Sequence, residues 1–216
     1  MYIPKIYNEA DMIKLHELIR ARPLATVTTL TDQGLTAHHI PFYLADNGAQ
    51  GVLRAHVNRN NPIWQDFKPD VAVVAVFHDV DAYISPSWYA SKVESGKVVP
   101  TWNYAAVHAH GKMRVVDDAA WIRAQMDALT AQQEGVFDQP WMIDDAPIDY
   151  INPMIARALM GIEIVIERLE GQWKVSQDKP ERNQASVIAA LQSTDGRGHK
   201  EMAHLIRERQ KNRSEK

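Results

Sequence analysis

A mainly β fold with appended helices, an α+β chain built on an antiparallel barrel or sandwich, is what the sequence predicts, and three observations predict it. About seven strand-like segments recur, most of them joined by tight-turn residues. They never settle into the strand–helix alternation of a doubly wound parallel sheet. Neither Gly-x-Gly-x-x-Gly nor Gly-Lys-Ser/Thr occurs, so dinucleotide and P-loop folds lack their phosphate loops. At 216 residues and 45% hydrophobic content, folding hides roughly 70% of the chain's surface, enough for one sizeable core without staples.

The elements follow in order. Asn8 is a candidate N-cap before Glu9, and Met12, Leu15, Leu18 and Ile19 recur at helical spacing until Pro23, which predicts a helix over about residues 9–21. Leu24–Leu30 is β-branched, Asp32-Gln33-Gly34 is turn chemistry and Leu35–Leu44 is extended again, which makes a hairpin. Pro41 cannot donate to a ladder, so its strand lies at an edge or is distorted there. Gly51–Val57 is a third strand. Asn60-Asn61-Pro62-Ile63 opens a short helix. The apolar run Val71–Phe77 reads as the centre of the sheet, and Val107–Val116 as another strand. Asp117-Asp118 then caps a helix through about Gln133. Residues 162–167 alternate, Glu170-Gly171 turns and residues 172–176 return, which predicts a late hairpin.

Composition narrows the function classes. The absence of cysteine removes disulfide frameworks, thiolate metal sites, iron–sulfur clusters and cysteine nucleophiles, and it fits a reducing, cytoplasmic setting. Met1–Lys5 lacks a basic region followed by an apolar stretch, and Val71–Phe77 is far too short to span a bilayer. Neither secretion by a visible signal nor membrane insertion is expected. The formal charge is -3, yet residues 197–216 carry seven Lys and Arg against three Glu. We read residues 1–192 as one domain and residues 193–216 as a basic helical tail, so a chain cut after Gln192 should keep its barrel. The tail either attracts nucleic acid electrostatically or is a solvated helix docking on its own dimer.

Two clusters carry chemistry. Tyr83, Trp88, Tyr89, Trp102 and Tyr104 stand among hydroxyls, amides and Lys92, a mixture that suits a flat polar heterocycle plus an anion, or else plugs one end of a barrel. His38-His39-Ile40-Pro41 and His56–Asn61 form the second. Arg59 with Asn58 and Asn60, just before a helix start, can receive a phosphate, or can be a solvated arginine at a capped turn. His38 and His39 point to opposite strand faces. His108 and His110 share a face as a metal pair could, but Lys112-Met113-Arg114 supplies no carboxylate, and no metal is expected. No Ser/His/acid arrangement stands out by spacing.

Seven segments, taken in order, resemble one family. They are Met1–Lys5, Ala37–Pro41, Arg54–Pro62, Tyr83–Lys92, Val99–Tyr104, Val107–Gly111 and Gly171–Gln177, and together they resemble the PaiB family of FMN-binding negative transcriptional regulators over about residues 1–192. The resemblance implies an FMN-binding split β-barrel, working as a homodimer with flavin at the subunit interface. It implies that His39, Ile40 and Pro41 line the isoalloxazine ring and that His56, Asn58, Arg59, Asn60 and Lys92 surround the phosphate. Ser85, Thr101, Trp102, Asn103, Ser176 and Gln177 would complete the pocket, some of them from the partner chain. Asp178 stands where the family motif has an amide, an acid that would repel a nearby phosphate unless it points away.

Two functions follow as expectations. One is a flavin-binding negative regulator acting through the dimer or through partners, since no recognition helix is visible and a basic tail gives DNA affinity without reading sequence. The other is a flavin-dependent oxidoreductase of the same barrel, or a haem-binding one with His39 or His56 as axial ligand. Neither needs a catalytic side chain.

Overall fold

The computed structural model of the chain describes residues 1–214. A two-residue strand β1 (Asn8–Glu9) precedes helix α1 (Met12–Ala21). The hairpin read around Gly34 is present as β2 (Leu24–Thr31) and β3 (Gly34–Pro41), followed by β4 (Tyr43–Ala45) and β5 (Val52–Asn58). Then come α2 (Ile63–Asp66), β6 (Val73–Ile84), α3 (Lys92–Ser95), β7 (Thr101–Val116) and α4 (Ala119–Glu134). The chain continues through α5 (Ile148–Ala158), β8 (Leu159–Lys174), α6 (Glu181–Ser193) and α7 (His199–Ser214). The strands form one eight-stranded sheet in the order β3-β2-β6-β7-β8-β5-β4, with β1 pairing β8. Pro41 lies on β3, at the end of that order, where a missing N–H is tolerated.

Contacts divide the chain into two units. Unit 1 holds Met1–Asp11, His78–Val107 and Glu170–Lys216; unit 2 holds Met12–Phe77 and His108–Leu169. In unit 2, β2 pairs with β3 from Leu24↔Pro41 to Thr31↔Gly34, and β5 pairs with β8 from Val52↔Val165 to Asn58↔Leu159. Phe42 and Phe77 meet edge to face at 6.4 Å. A second cluster packs Ile122 and Met126 of α4 against Ile151 and Ile155 of α5, with Ile143 and Leu159. Gly111 of β7 is required by close approach, because a Cβ there would lie 2.0 Å from the Val165 carbonyl oxygen.

Unit 2 also buries a charge. Glu163 on β8 stands directly opposite Arg54 on β5, and its side chain is buried. Arg54 Nε donates to Oε2 at 3.0 Å and Arg114 Nε, from β7, donates to Oε1 at 2.7 Å. The alternation read over residues 162–167 therefore breaks at Glu163, since two guanidinium groups make its burial tolerable. Arg54 also lies 5.7 Å from the Trp121 ring centroid, on α4.

Unit 1 has its own core. Ala82 and Ile84 of β6, Val175, and Val187, Ile188 and Leu191 of α6 pack with Met202, Ala203 and Ile206 of α7. The basic tail thus buries its apolar stripe within its own chain. Its last two residues, and the side chains from 212 on, Arg213 and Lys216 among them, lie outside the described residues.

Three sequence expectations are corrected. Residues 162–176 do not form a hairpin: β8 runs unbroken through Gly171, because β1 pairs with it at Glu9↔Gly171 and Asn8↔Gln172 and so occupies that backbone in a ladder. Asn8 is consequently a strand residue and not a helix cap, and α1 begins at Met12. Helix α5 escaped notice because Pro153 lies inside it; burial of Ile151 and Ile155 sustains the helix around that residue.

Ile206→Ala should cost about 2–5 kcal/mol, the usual range for emptying a buried aliphatic site. The measurement is the urea midpoint. Cutting the chain after Gln192 should lower it further by exposing Val187 and Leu191.

Candidate functional site

The fourteen residues expected around a flavin divide between the units, His39–Asn60 in unit 2 and Ser85–Gln177 in unit 1. In unit 1, Ser85 Oγ caps a single 3-10 turn, Pro86–Trp88, by accepting from Ser87 N at 3.2 Å. The loop that follows is tied to α6: Asn183 Oδ1 accepts from Ser91 N at 3.0 Å and Ser186 Oγ accepts from Ala90 N at 3.1 Å. Lys92 opens α3 as an exposed cation on that anchored loop. Thr101 Oγ1 accepts from Lys174 Nζ at 2.6 Å. Trp102 is exposed and packs edge to face on Tyr83 at 5.8 Å.

Asn103 is the most constrained of the set. It is 1% exposed, its Nδ2 donates to Ser176 Oγ at 2.9 Å, and its Oδ1 meets no partner. Ser176 has φ 62°, the one positive value among described non-glycine residues. Such strain persists only where the surroundings over-determine it, and it concentrates at functional positions. Gln177 holds the conformation: its Oε1 accepts from Val175 N at 2.7 Å and its Nε2 donates to the carbonyls of Ile6 and Trp173. The acid at 178 is answered by its neighbour, Lys179 Nζ lying 2.7 Å from Asp178 Oδ2, and that hydrogen bond raises the lysine's pKa. Burial raises the pKa of the Tyr89 phenol, whose hydroxyl also lacks a partner.

In unit 2, His39 is exposed and its Nδ1 shares a hydrogen bond with Thr26 Oγ1 at 3.1 Å, while Ile40 turns into the core and Pro41 is exposed. Burial lowers the pKa of His38, on the opposite face, with neighbouring His39 adding to the effect. His56 Nδ1 donates to Gln125 Oε1 at 2.7 Å, which leaves Nε2 as the acceptor. Asn58 Oδ1 accepts from Asn60 N at 2.9 Å, closing a turn that presents Arg59 between two exposed amides. Both Nη groups of Arg59 donate to Asp117, and its Nε has no partner. That hydrogen bond is the main reason the Asp117 pKa is lowered and the Arg59 pKa raised.

Sequence reasoning gave Asp117 only a capping role; Asp118 is the cap, accepting from Trp121 N at 2.9 Å. No local signal links Asp117 to an arginine 58 positions earlier. Lys174 and Gln125 likewise carry no local signal that ties them to Thr101 and His56.

An antiparallel sheet of this order, with helices appended, has the split-barrel architecture. An FAD and heme binding protein from Mycobacterium smegmatis superposes with a TM-score of 0.57 at 15% identity, over 85% of this chain and 80% of that one. The chain is 31% identical to an uncharacterized protein of Emericella nidulans over 97% of both. It is 28% identical to the protease synthase and sporulation protein PAI 2 of Bacillus subtilis, covering 98% of this chain and 99% of that one. Residues 1–168 match the family described as "Putative FMN-binding domain", and the chain belongs to that family.

Its cofactor is FMN, and the groups present fit one. Flavin mononucleotide offers donors at its ring N–H and ribityl hydroxyls, and acceptors at its ring carbonyls and phosphate. In unit 1 the buried Asn103 Oδ1 is an unmatched acceptor, and in unit 2 the Arg59 Nε is an unmatched donor; each by itself is the kind of orphan that a polar ligand satisfies.

Asn103→Ala should destabilise the chain by about 1–3 kcal/mol, since it leaves the buried Ser176 hydroxyl without its donor. Thermal unfolding followed by circular dichroism checks this.

Proposed function

We propose that the chain is an FMN-binding negative transcriptional regulator of the PaiB type, working as a homodimer with the flavin at the subunit interface. The observation that carries the dimer is one sheet face of unit 2. Leu24, Thr26, Thr28 and Leu30 on β2 stand opposite Pro41, His39, Ala37 and Leu35 on β3. On that face Leu24 is 62% and Leu35 75% exposed, and His39 and Pro41 stand among them. An apolar face of this kind calls for a cover, and a second copy with a flat ring between the copies supplies one.

In this reading the side chains of His39 and Pro41, with the backbone of Ile40 between them, flank the ring; His56, Asn58, Arg59, Asn60 and Lys92 hold the phosphate. Ser85, Thr101, Trp102, Asn103, Ser176 and Gln177 complete the pocket, with some side chains from the second copy. Bound FMN supplies hydride or single-electron chemistry, or serves as a sensory ligand. The protein's part is to orient and shield it: Asn103 accepts a ligand hydrogen bond, Gln177 fixes the backbone at Ser176, and Trp102 covers apolar surface.

Regulation through partners suits the chain better than direct reading of DNA. Helix α7 has buried its apolar stripe, Arg207 donates to Gln192 and Arg209 to Glu9, so fewer of its cations are left for phosphates. A second reading, a flavin- or haem-dependent oxidoreductase, is favoured by His56, whose Nδ1–H is fixed by Gln125 and whose Nε2 is therefore in the ligating tautomer.

A visible spectrum with light scattering tests both. A band at about 450 nm on a particle of twice the chain's mass supports the flavin dimer, whereas a Soret band at about 400 nm supports haem. A monomer that takes up neither sinks the proposal. Arg59→Ala and Lys92→Ala should each weaken FMN binding about tenfold by removing a charge-assisted partner of the phosphate. Asp117→Asn should strengthen it, because the Arg59 fork is released. Titration by flavin fluorescence quenching reads all three.

A further inference from the structure

Unit 2 exposes a second set of large apolar side chains, on the stretch between α4 and α5. Val136, Phe137, Trp141 and Met142 follow α4, and Ile148 and Tyr150 begin α5; all six are exposed. The neighbouring cluster buries Ile143, Ile151 and Ile155 instead. Exposed apolar residues scattered singly need no explanation, but six along one short stretch mark an interaction surface.

The stretch is held in place. Glu134 accepts from Trp141 N at 3.0 Å through Oε2 and from Phe137 N at 2.9 Å through its carbonyl. Asp145 Oδ2 accepts from Met142 N at 2.8 Å, and Arg123 of α4 bridges Asp127 at 2.9 Å and Asp144 at 2.5 Å. Ala131 of α4 with Pro140, Trp141, Met142 and Ile143 walls a concave site of about 390 Å³, rimmed by Asp127 and Asp144. That volume takes one large apolar side chain, in the manner of an interface anchor.

Charge selects the occupant. Residues 123–150 contain six carboxylates and one arginine, so nucleic acid, anionic membrane and acidic peptides are repelled, and a cationic partner is steered in. The basic helix of a second copy does not suit the site, because Met202, Ala203 and Ile206 are already buried in its own unit.

We propose that this surface docks a basic amphipathic segment of another protein, with one apolar side chain in the concave site and lysines or arginines against the exposed carboxylates of the same stretch, Asp138 and Asp149 among them. The probe is a fluorescent helical peptide with leucine and phenylalanine at helical spacing and lysine elsewhere, beside a version with glutamate for every lysine. Both are titrated against the full chain by anisotropy. The lysine peptide should bind with a Kd of about 1–100 μM, weakening about tenfold between roughly 50 and 300 mM salt. Trp141→Ser, Phe137→Ser and the pair Asp138→Asn with Asp149→Asn should each weaken it by about tenfold, with FMN absorbance and circular dichroism unchanged. Absence of binding, equal binding of the glutamate peptide, or indifference to both aromatic substitutions overturns the proposal. So does a fall in particle mass on Trp141→Ser, which assigns the surface to contact between copies of the chain.

Discussion

A buried carboxylate sets the register of unit 2. Glu163 faces Arg54 across the β5–β8 ladder and takes a second guanidinium, Arg114, from β7. Sliding β8 by one residue would turn Glu163 to the other face of the sheet, away from both arginines, and would bring Ile162 or Ile164 out of the core. The slip thus costs an unpaired buried charge as well as apolar burial. Because β5 leads directly into Asn58-Arg59-Asn60, and Arg59 N donates to the Ala158 carbonyl at 2.8 Å just before β8 begins, the same register places the turn that carries Arg59. The structural charges and the candidate ligand charge are therefore sequential neighbours with different duties.

The polar groups of the candidate site fall into two kinds. Gln177, Ser85 and Asn58 spend their hydrogen bonds on backbone groups and shape the loops. Asn103 Oδ1, Tyr89 OH and Arg59 Nε are buried with nothing to bond. A stable chain keeps few such orphans, and three of them in or beside the segments of the family resemblance say more about a ligand than the exposed Lys92 does. Arg59 is held by Asp117, an internal anion occupying the guanidinium fork that a phosphate would want.

Much of this was legible beforehand, for identifiable reasons. The β2–β3 hairpin is written in β-branched residues around Gly34, and Pro41 marks a strand that is at an edge or distorted, of which the strand order has the first; both signals are local. The late strand misled because Glu170-Gly171 reads as a turn until Asn8 and Glu9 are known to lie alongside it, and that pairing joins positions about 160 residues apart. Pro153 hid α5 because its cost is met by apolar contacts to α4 that no window of sequence contains. The tail's positive charge drew attention to nucleic acid, while three apolar residues, Met202, Ala203 and Ile206, decided where the helix went. Motif order proposes the site segments, but it carries no sign that Asp117 holds Arg59 or that Gln125 fixes the tautomer of His56.

The division of the chain has a consequence for its birth on the ribosome. Unit 2 has its last segment once Leu169 is made, whereas the first eleven residues of unit 1 wait for His78–Val107 and then for everything from Glu170 onward. At about 5–20 residues per second, Ala82 and Ile84 on the 78–107 segment spend seconds uncovered before α6 and α7 exist to pack on them. Vectorial synthesis thus leaves unit 1 as the half of the molecule exposed to chaperones and to wrong partners, and α7 is the piece that ends that exposure.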